Sequence, residues 1–377
     1  MTILAPGTAQ HRHLPALDGV RGLAIAAVLV VHSVDLAGGW PYWNLINILA
    51  SVGPFGVDLF FVLSGFLITG VLLDSRGEHG YFRNFYARRA LRLFPVYYSY
   101  LLVVMTLVPW MHRALHTSIP DYSGNWWWYF TYITNWKANF AAPDLYLGHF
   151  WSLAVEEQFY VVWPTVVLLL ARRRLAWACA ALIISATILR CVWSAQGVYW
   201  NQIYRLTVTR WDTMAMGALC ALALRSESAR NWAYRSAPIL MAVGGSVFVT
   251  IAVKAGGPEW SRGAIQTFGS TAASVAFCGL VLYAATRNSG RLYDCLRLRF
   301  LLSLGKYSYF MYVIHILVIE HVYRLGRHFA AMASPGPATA FIWIAQLIVA
   351  NAVVFYLARL SWNFFESPIL RLKRHFV

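Results

Sequence analysis

The stretch PFGVDLFFVLSGFLITGVLL, residues 54–73, runs twenty residues with a single charge, Asp58. A bilayer core of roughly 30 Å is crossed by about 20 apolar helical residues, so this stretch predicts a transmembrane helix. Runs of the same kind recur on both sides of it, at 17–37, 93–111, 151–171, 175–193, 206–224, 237–253, 266–286, 304–322 and 338–360. Ten such spans predict an all-α polytopic membrane protein, because helices satisfy their own backbone polar groups in lipid. Composition agrees. Of 377 residues, 59% are hydrophobic and only 12% are charged, against about 25% charged in an ordinary soluble domain. That excludes a cytosolic enzyme, a nucleic-acid-binding domain and a disordered chain. The first span is no cleaved signal peptide, since it carries Arg21 and His32 and nine more spans follow.

The formal charge of +16 is then a question of placement. Twenty basic residues fall in alternate connections: Arg12; Arg76, Arg83, Arg88, Arg89 and Arg92; Arg172 to Arg174; Arg225, Arg230 and Arg235; Arg287 to Lys306; and Arg371, Lys373 and Arg374. Seven fall in the opposite set: Arg113, Lys137, Arg205, Lys254, Arg262, Arg324 and Arg327. The positive-inside rule makes both termini cytoplasmic, which needs an even number of spans. The expected layout is a cytoplasmic segment over 1–16, a transmembrane domain over 17–362 and a basic cytoplasmic tail over 363–377, in a plasma or inner membrane. Five cysteines with no C-x-x-C pair read as small buried hydrophobes, and no metal site is expected.

Ionisable groups inside spans are costly and mark functional sites. Arg21 and His32 are eleven residues apart, which puts them on one helix face about 16 Å apart. Counting helical rise from the inner ends places His32, Asp58 and Glu156 at about 22 Å, Arg210 at about 21 Å and His315 at about 16 Å. The polar groups therefore gather at mid-to-outer depth, as a site or a proton path would require. Before the third span, Arg89 and Arg92 point the same way, and a guanidinium fork suits phosphate. The external connection over 112–150 carries Trp126, Trp127, Trp128, Tyr129, Tyr132 and Trp136. These read either as an interfacial aromatic belt or as a platform on which an acceptor stacks. No G-x-S-x-G, H-E-x-x-H, Walker or G-x-G-x-x-G motif is present.

Taken in order, these motifs resemble one family. Leu17-Asp18-Gly19-Val20-Arg21-Gly22 leads to His32 as R-x(10)-H, followed by Gly56 to Phe66 around Asp58 and Ser64-Gly65. The R-x-x-R of Arg89 and Arg92 and then Trp151-Ser152-Leu153-Ala154-Val155-Glu156-Glu157-Gln158-Phe159-Tyr160 come next. Arg210-Trp211-Asp212, Tyr307-Ser308-Tyr309 leading to His315, and Phe365-Glu366-Ser367-Pro368 complete the set. Together, over about residues 14–370, they resemble the acyltransferase 3 family of membrane enzymes that move acyl groups from acyl-CoA to hydroxyls of sugars and related acceptors.

The resemblance implies that His32 is the essential histidine and that Arg21, Arg89 and Arg92 handle acyl-CoA, with acetyl as the default group and no tightly bound cofactor. Many relatives carry an added extracytoplasmic esterase-like domain; none is expected here. His32 is the expected general base, with Asp58 and Asp35 as rival orienters of its ring. Glu156 is expected to bind the acceptor or relay the proton, and Ser64-Gly65 is a candidate for oxyanion contacts. Glu157, Arg210, Asp212 and His315 are expected to support the site. The acceptor is a hydroxyl-bearing glycan or glycolipid, or alternatively a lipophilic small molecule such as a macrolide. A proton-coupled transporter is the rival from another class, disfavoured by the absence of inverted repeats and by the cytoplasmic arginines. Direct transfer, an acyl-enzyme route and the oligomeric state stay open.

Overall fold

A computed structural model of the chain describes residues 14–36, 50–114, 126–137, 145–332 and 337–376, and among these the protein is helical without a strand. Ten long helices follow one another: α1 (Pro15–Leu36), α2 (Phe55–Asp74), α3 (Tyr81–Leu102), α4 (Trp151–Leu169) and α5 (Arg172–Ala195). They continue as α6 (Trp211–Ala223), α7 (Glu227–Ala255), α8 (Ser270–Thr286), α9 (Arg299–Met332) and α10 (Pro337–Ser361). Each expected span falls on one of them. Taken with the turns that continue α3, α8 and α10, eight of these described helices are long and apolar enough to cross a membrane. The exceptions are α4, where Glu156-Glu157-Gln158 interrupts the apolar run, and α6.

The sixth span is shorter than expected. Residues 206–224 read as one run, yet Thr207–Thr209 form a 3-10 turn and helix starts only at Trp211. The cause is local. The Thr209 hydroxyl donates to the carbonyls of Ile203 (2.6 Å) and Leu206 (2.7 Å), a side-chain bond that competes with helix formation. The thirteen residues of α6 rise only about 20 Å, less than a bilayer core.

Register also departs from the depth count. α2 and α4 run parallel, tied by Ser64 to Glu156 (2.5 Å) and by the Trp163 indole to the Thr69 hydroxyl (2.8 Å). At the end of this pair Arg76 donates to the Leu170 carbonyl at 3.0 Å. Glu156 is therefore level with Ser64, six residues or about 9 Å nearer the arginine-rich face than Asp58. The two carboxylates do not share a depth, because α4 starts directly after the turn Gly148–Phe150 and sits lower than its apolar run suggests. α3 packs antiparallel on α4, with Tyr81 and Tyr86 donating to the carbonyls of Pro164 (3.0 Å) and Val161 (2.9 Å).

Membrane helices approach closely where small residues face each other, and two such seams position the site. At the start of α1, a Cβ on Gly22 would lie 2.2 Å from the Leu301 carbonyl oxygen of α9, and one on Gly305 would lie 1.8 Å from that of Asp18. Between α2 and α6, a Cβ on Gly65 would meet Met214 O at 2.0 Å and one on Gly217 would meet Val62 O at 2.0 Å. Backbone cannot yield as a side-chain tip can. Gly305→Val is therefore expected to lose at least about 1–3 kcal/mol through overpacking, seen as a lower melting temperature and an aggregated fraction on size exclusion, while Ala at exposed Phe300 leaves both unchanged.

Candidate active site

Four elements meet at one cluster of rings. α1 contributes His32, α9 contributes Tyr312 and His315, the turn before α4 contributes His149, and α4 itself contributes Ser152. The Nε2 of His315 lies 3.2 Å from the Nδ1 of His32, and the His149 and His315 rings meet edge-on with centroids 4.8 Å apart. The Ser152 and Tyr312 hydroxyls are 2.5 Å apart, and both reach the His149 carbonyl. His315 is fully buried and His149 nearly so, whereas His32 is half-buried.

These contacts set the tautomers of the neutral rings. His315 Nδ1 sits 2.6 Å from the Tyr312 carbonyl, so it carries the hydrogen and Nε2 of His315 is a lone-pair acceptor. His32 Nδ1 then faces two acceptors, His315 Nε2 and the Val28 carbonyl at 3.0 Å. It must hold the hydrogen. The lone pair of His32 is left on Nε2, aimed away from both partners. That is the form a general base needs.

A polar line leads from this cluster to the arginine-rich face. Ser152, Glu156 and Tyr160 are spaced four apart on α4 and share one helix face over about 12 Å. Ser152 meets Tyr312, Glu156 accepts the Ser64 hydroxyl of α2, and Tyr160 lies under the Arg89 guanidinium, 4.7 Å from its ring centre. Arg92 is within electrostatic reach of Arg21 and Arg89, and of Asp18 and Glu366; Arg21 itself pairs with Asp18 at 2.8 Å. Glu157 interacts with Arg89 and Glu156. His32, Ser64, Glu156, Glu157, Arg21, Arg89 and Arg92 all keep partial accessibility beside buried partners.

The structure separates other candidates from this line. Asp58 does not orient His32; it forms a fully buried ion pair with Arg210. The Arg210 guanidinium is further enclosed by the rings of Trp260 (4.8 Å), Tyr204 (5.1 Å) and Phe61 (5.5 Å). Six residues along a helix turn the direction by about 600°, roughly 120° short of two turns, so Asp58 faces Arg210 while Ser64 faces α4. Asp212 is likewise held by Arg190 (2.6 Å), whose other donors reach Thr209 O, Thr187 and Thr271. That clamp joins α5, α6 and α8. Gly65 lies against α6, so its bare backbone serves helix packing, not an oxyanion. The side chain of Asp35 lies outside the described residues.

Sequence reading missed His149, Ser152 and Tyr312 as site groups. The available signal was spacing: Ser152 is one turn before Glu156, His149 three residues before Ser152, and Tyr312 three before His315. In the described part of the aromatic loop, Trp126 and Trp136 are exposed. The Trp136 indole also donates to Gln158 (3.2 Å), whose amide bonds Tyr132 O and Asn135 at 2.8 Å. The loop is thus pinned to α4 just beyond the Glu156-Glu157 pair.

Comparison with known proteins agrees with the motifs. Residues 14–360 match the model of an acyltransferase domain, that of the acyltransferase 3 family. A Bacillus subtilis protein provisionally named a peptidoglycan O-acetyltransferase is 31% identical over 388 residues, 96% of this chain and 56% of the relative. The peptidoglycan O-acetyltransferase of Listeria monocytogenes is 27% identical over 384 residues, 95% of this chain and 56% of the relative. A provisionally named O-acetyltransferase of Staphylococcus aureus is 32% identical over 227 residues, 56% of this chain and 35% of the relative. The chain spans about half the length of the first two, and no solved structure matches it. With a match that begins at α1 and runs into the last turn of α10, covering the histidine cluster and the arginines alike, this multi-pass membrane protein belongs to the acyltransferase 3 family.

Proposed function

We propose that the protein is an O-acyltransferase that moves an acetyl group from acetyl-CoA to a hydroxyl of a glycan acceptor, peptidoglycan or a related cell-wall glycan, in the plasma membrane. The observation that carries this reading is His32, held as the Nδ1-H tautomer by Val28 and His315 with its Nε2 lone pair free, at the far end of a polar line from three arginines. The arginine-rich face is cytoplasmic in this reading. Arg21, Arg89 and Arg92 take the phosphates of the coenzyme, and the pantetheine arm runs between α1, α2 and α4 towards the histidines. The acceptor enters from the opposite face.

The chemistry balances without a redox partner. His32 Nε2 takes the hydroxyl proton as the acceptor oxygen bonds to the thioester carbonyl carbon. The tetrahedral centre collapses, the carbon–sulfur bond breaks, and the imidazolium returns its proton to the departing thiolate. His315 shares the Nδ1 hydrogen of His32 throughout and steadies the imidazolium. Glu156, braced by Ser64, holds the acceptor hydroxyl. The names of the relatives support a cell-wall glycan as that acceptor.

Alanine at Arg89 or at Arg92 is expected to raise the KM for acetyl-CoA by roughly 10- to 100-fold, the worth of a charge-assisted hydrogen bond. The effect should shrink at high salt and leave the KM for the acceptor unchanged. The reading itself is tested with liposome-reconstituted protein, labelled acetyl-CoA and muropeptides: acetyl ester on the glycan should appear in step with free coenzyme thiol. Solute flux without thioester consumption would establish the transporter instead.

A further inference from the structure

A second recess, remote from the polar line, opens among α5, α6, α7 and α8. Its volume is about 280 Å³, and every side chain lining it is apolar. Cys220 and Cys278 form its floor, both buried, while Trp232 stands at its rim, 56% exposed. It lies on the face of α6 turned away from the Gly65–Gly217 seam. Its lining runs from Met216 to Ala223, the last residue of α6, and from Val275 to Leu282 on α8. That is about 10–11 Å of helical rise on each, which fits within a bilayer half-thickness of roughly 15 Å.

The mouth is basic. The α6–α7 turn directly below Ala223 is bracketed by two guanidinium groups: Arg230 donates to the Leu224 carbonyl (3.4 Å) and Arg172 to the Arg225 carbonyl (3.5 Å). These are long bonds that leave donors over. Arg173 and Arg174, next to Arg172 in the chain, and Arg235, five residues after Arg230, are exposed, and Glu227 is the acid on that turn. Arg225 is already paired with Asp74. An apolar slot lying within one leaflet, with surplus guanidinium at its opening, matches an anionic lipid in both halves of the molecule.

We propose that this recess is a binding site for an anionic phospholipid, one acyl chain lying between α6 and α8 and the phosphate resting on Arg172 and Arg230. The proposal uses the placement of the arginine-rich face at the membrane surface and is independent of the acyl-transfer chemistry, so either can fail alone.

The test is native mass spectrometry of the protein taken from liposomes of phosphatidylglycerol and phosphatidylethanolamine in equal amounts. One retained phosphatidylglycerol is expected. Glu at Arg230, a partly exposed position outside the helix core, should lower its retention about fivefold. Leu240→Trp fills the slot and should abolish retention, while Trp at exposed Val249 should not. Phosphatidylglycerol with a photoreactive chain should label residues 216–223 and 275–282. Equal retention of the two lipids, full retention in both Leu240→Trp and Arg230→Glu, or label spread evenly around the bundle would overturn the proposal. So would a retained isoprenoid lipid in place of phospholipid.

Discussion

Replacing His32 by alanine is expected to slow acetyl transfer by about 100- to 10,000-fold, the range a positioned general base contributes. The loss should fall on kcat, with the KM for acetyl-CoA nearly unchanged, because the proposed phosphate site at Arg21, Arg89 and Arg92 is remote from His32, Arg21 lying about 16 Å along α1 from it. Folding should survive. His32 is half-buried and its ring contributes no helix-packing contact comparable to the glycine seams, so the melting temperature of His32→Ala should match that of the parent. His315→Ala should cost less in rate, since it removes the partner that fixes the His32 ring but leaves the Val28 carbonyl to hold the tautomer. Rates for the two variants at matched folded protein separate these roles: an intact rate in His32→Ala removes the base from the mechanism.

The largest effect on stability is expected at Asp58. Alanine there leaves the Arg210 guanidinium buried without a counter-charge, and breaking a buried pair costs about 3–5 kcal/mol. Arg210→Ala strands the carboxylate and should cost a similar amount. The double variant Asp58→Leu with Arg210→Met removes both charges and should recover most of the stability, because apolar replacements for a buried ion pair are tolerated when the two go together. Denaturant unfolding of the two single variants and the double variant measures this as a coupling. A well-folded Asp58→Asn protein with a rate as low as that of His32→Ala would instead restore Asp58 to the neighbourhood of the imidazole.

That contrast shows where sequence reading stops. Helix positions follow from apolar runs, and all ten expected spans fall on helices because lipid leaves the backbone no other way to pair. Arg21 and His32 share a face because both lie on one helix, where period alone decides direction. Asp58 and Glu156 lie on different helices. Their relation depends on the register between α2 and α4, which is set by the turn before α4 and the Ser64 and Thr69 hydrogen bonds. A count from apolar boundaries carries no information about that offset, nor about which way Asp58 points. Arg210 was expected as a supporting group near the outer end of its segment, but its pairing with Asp58 could not be read, since that partner comes from another helix. The break at Thr209 was hidden for a different reason: threonine hydroxyls that bond the preceding carbonyls look, in composition, like ordinary span residues.

The most direct measurement of the central claim is a structure of the protein in a lipid disc with a non-hydrolysable acetyl-CoA analogue and a glycan fragment. The coenzyme phosphates are expected among Arg21, Arg89 and Arg92, and the acceptor hydroxyl roughly 3 Å from His32 Nε2, facing the acyl carbon. Coenzyme bound at the opposite face, or an acyl group ending away from His32, would contradict it.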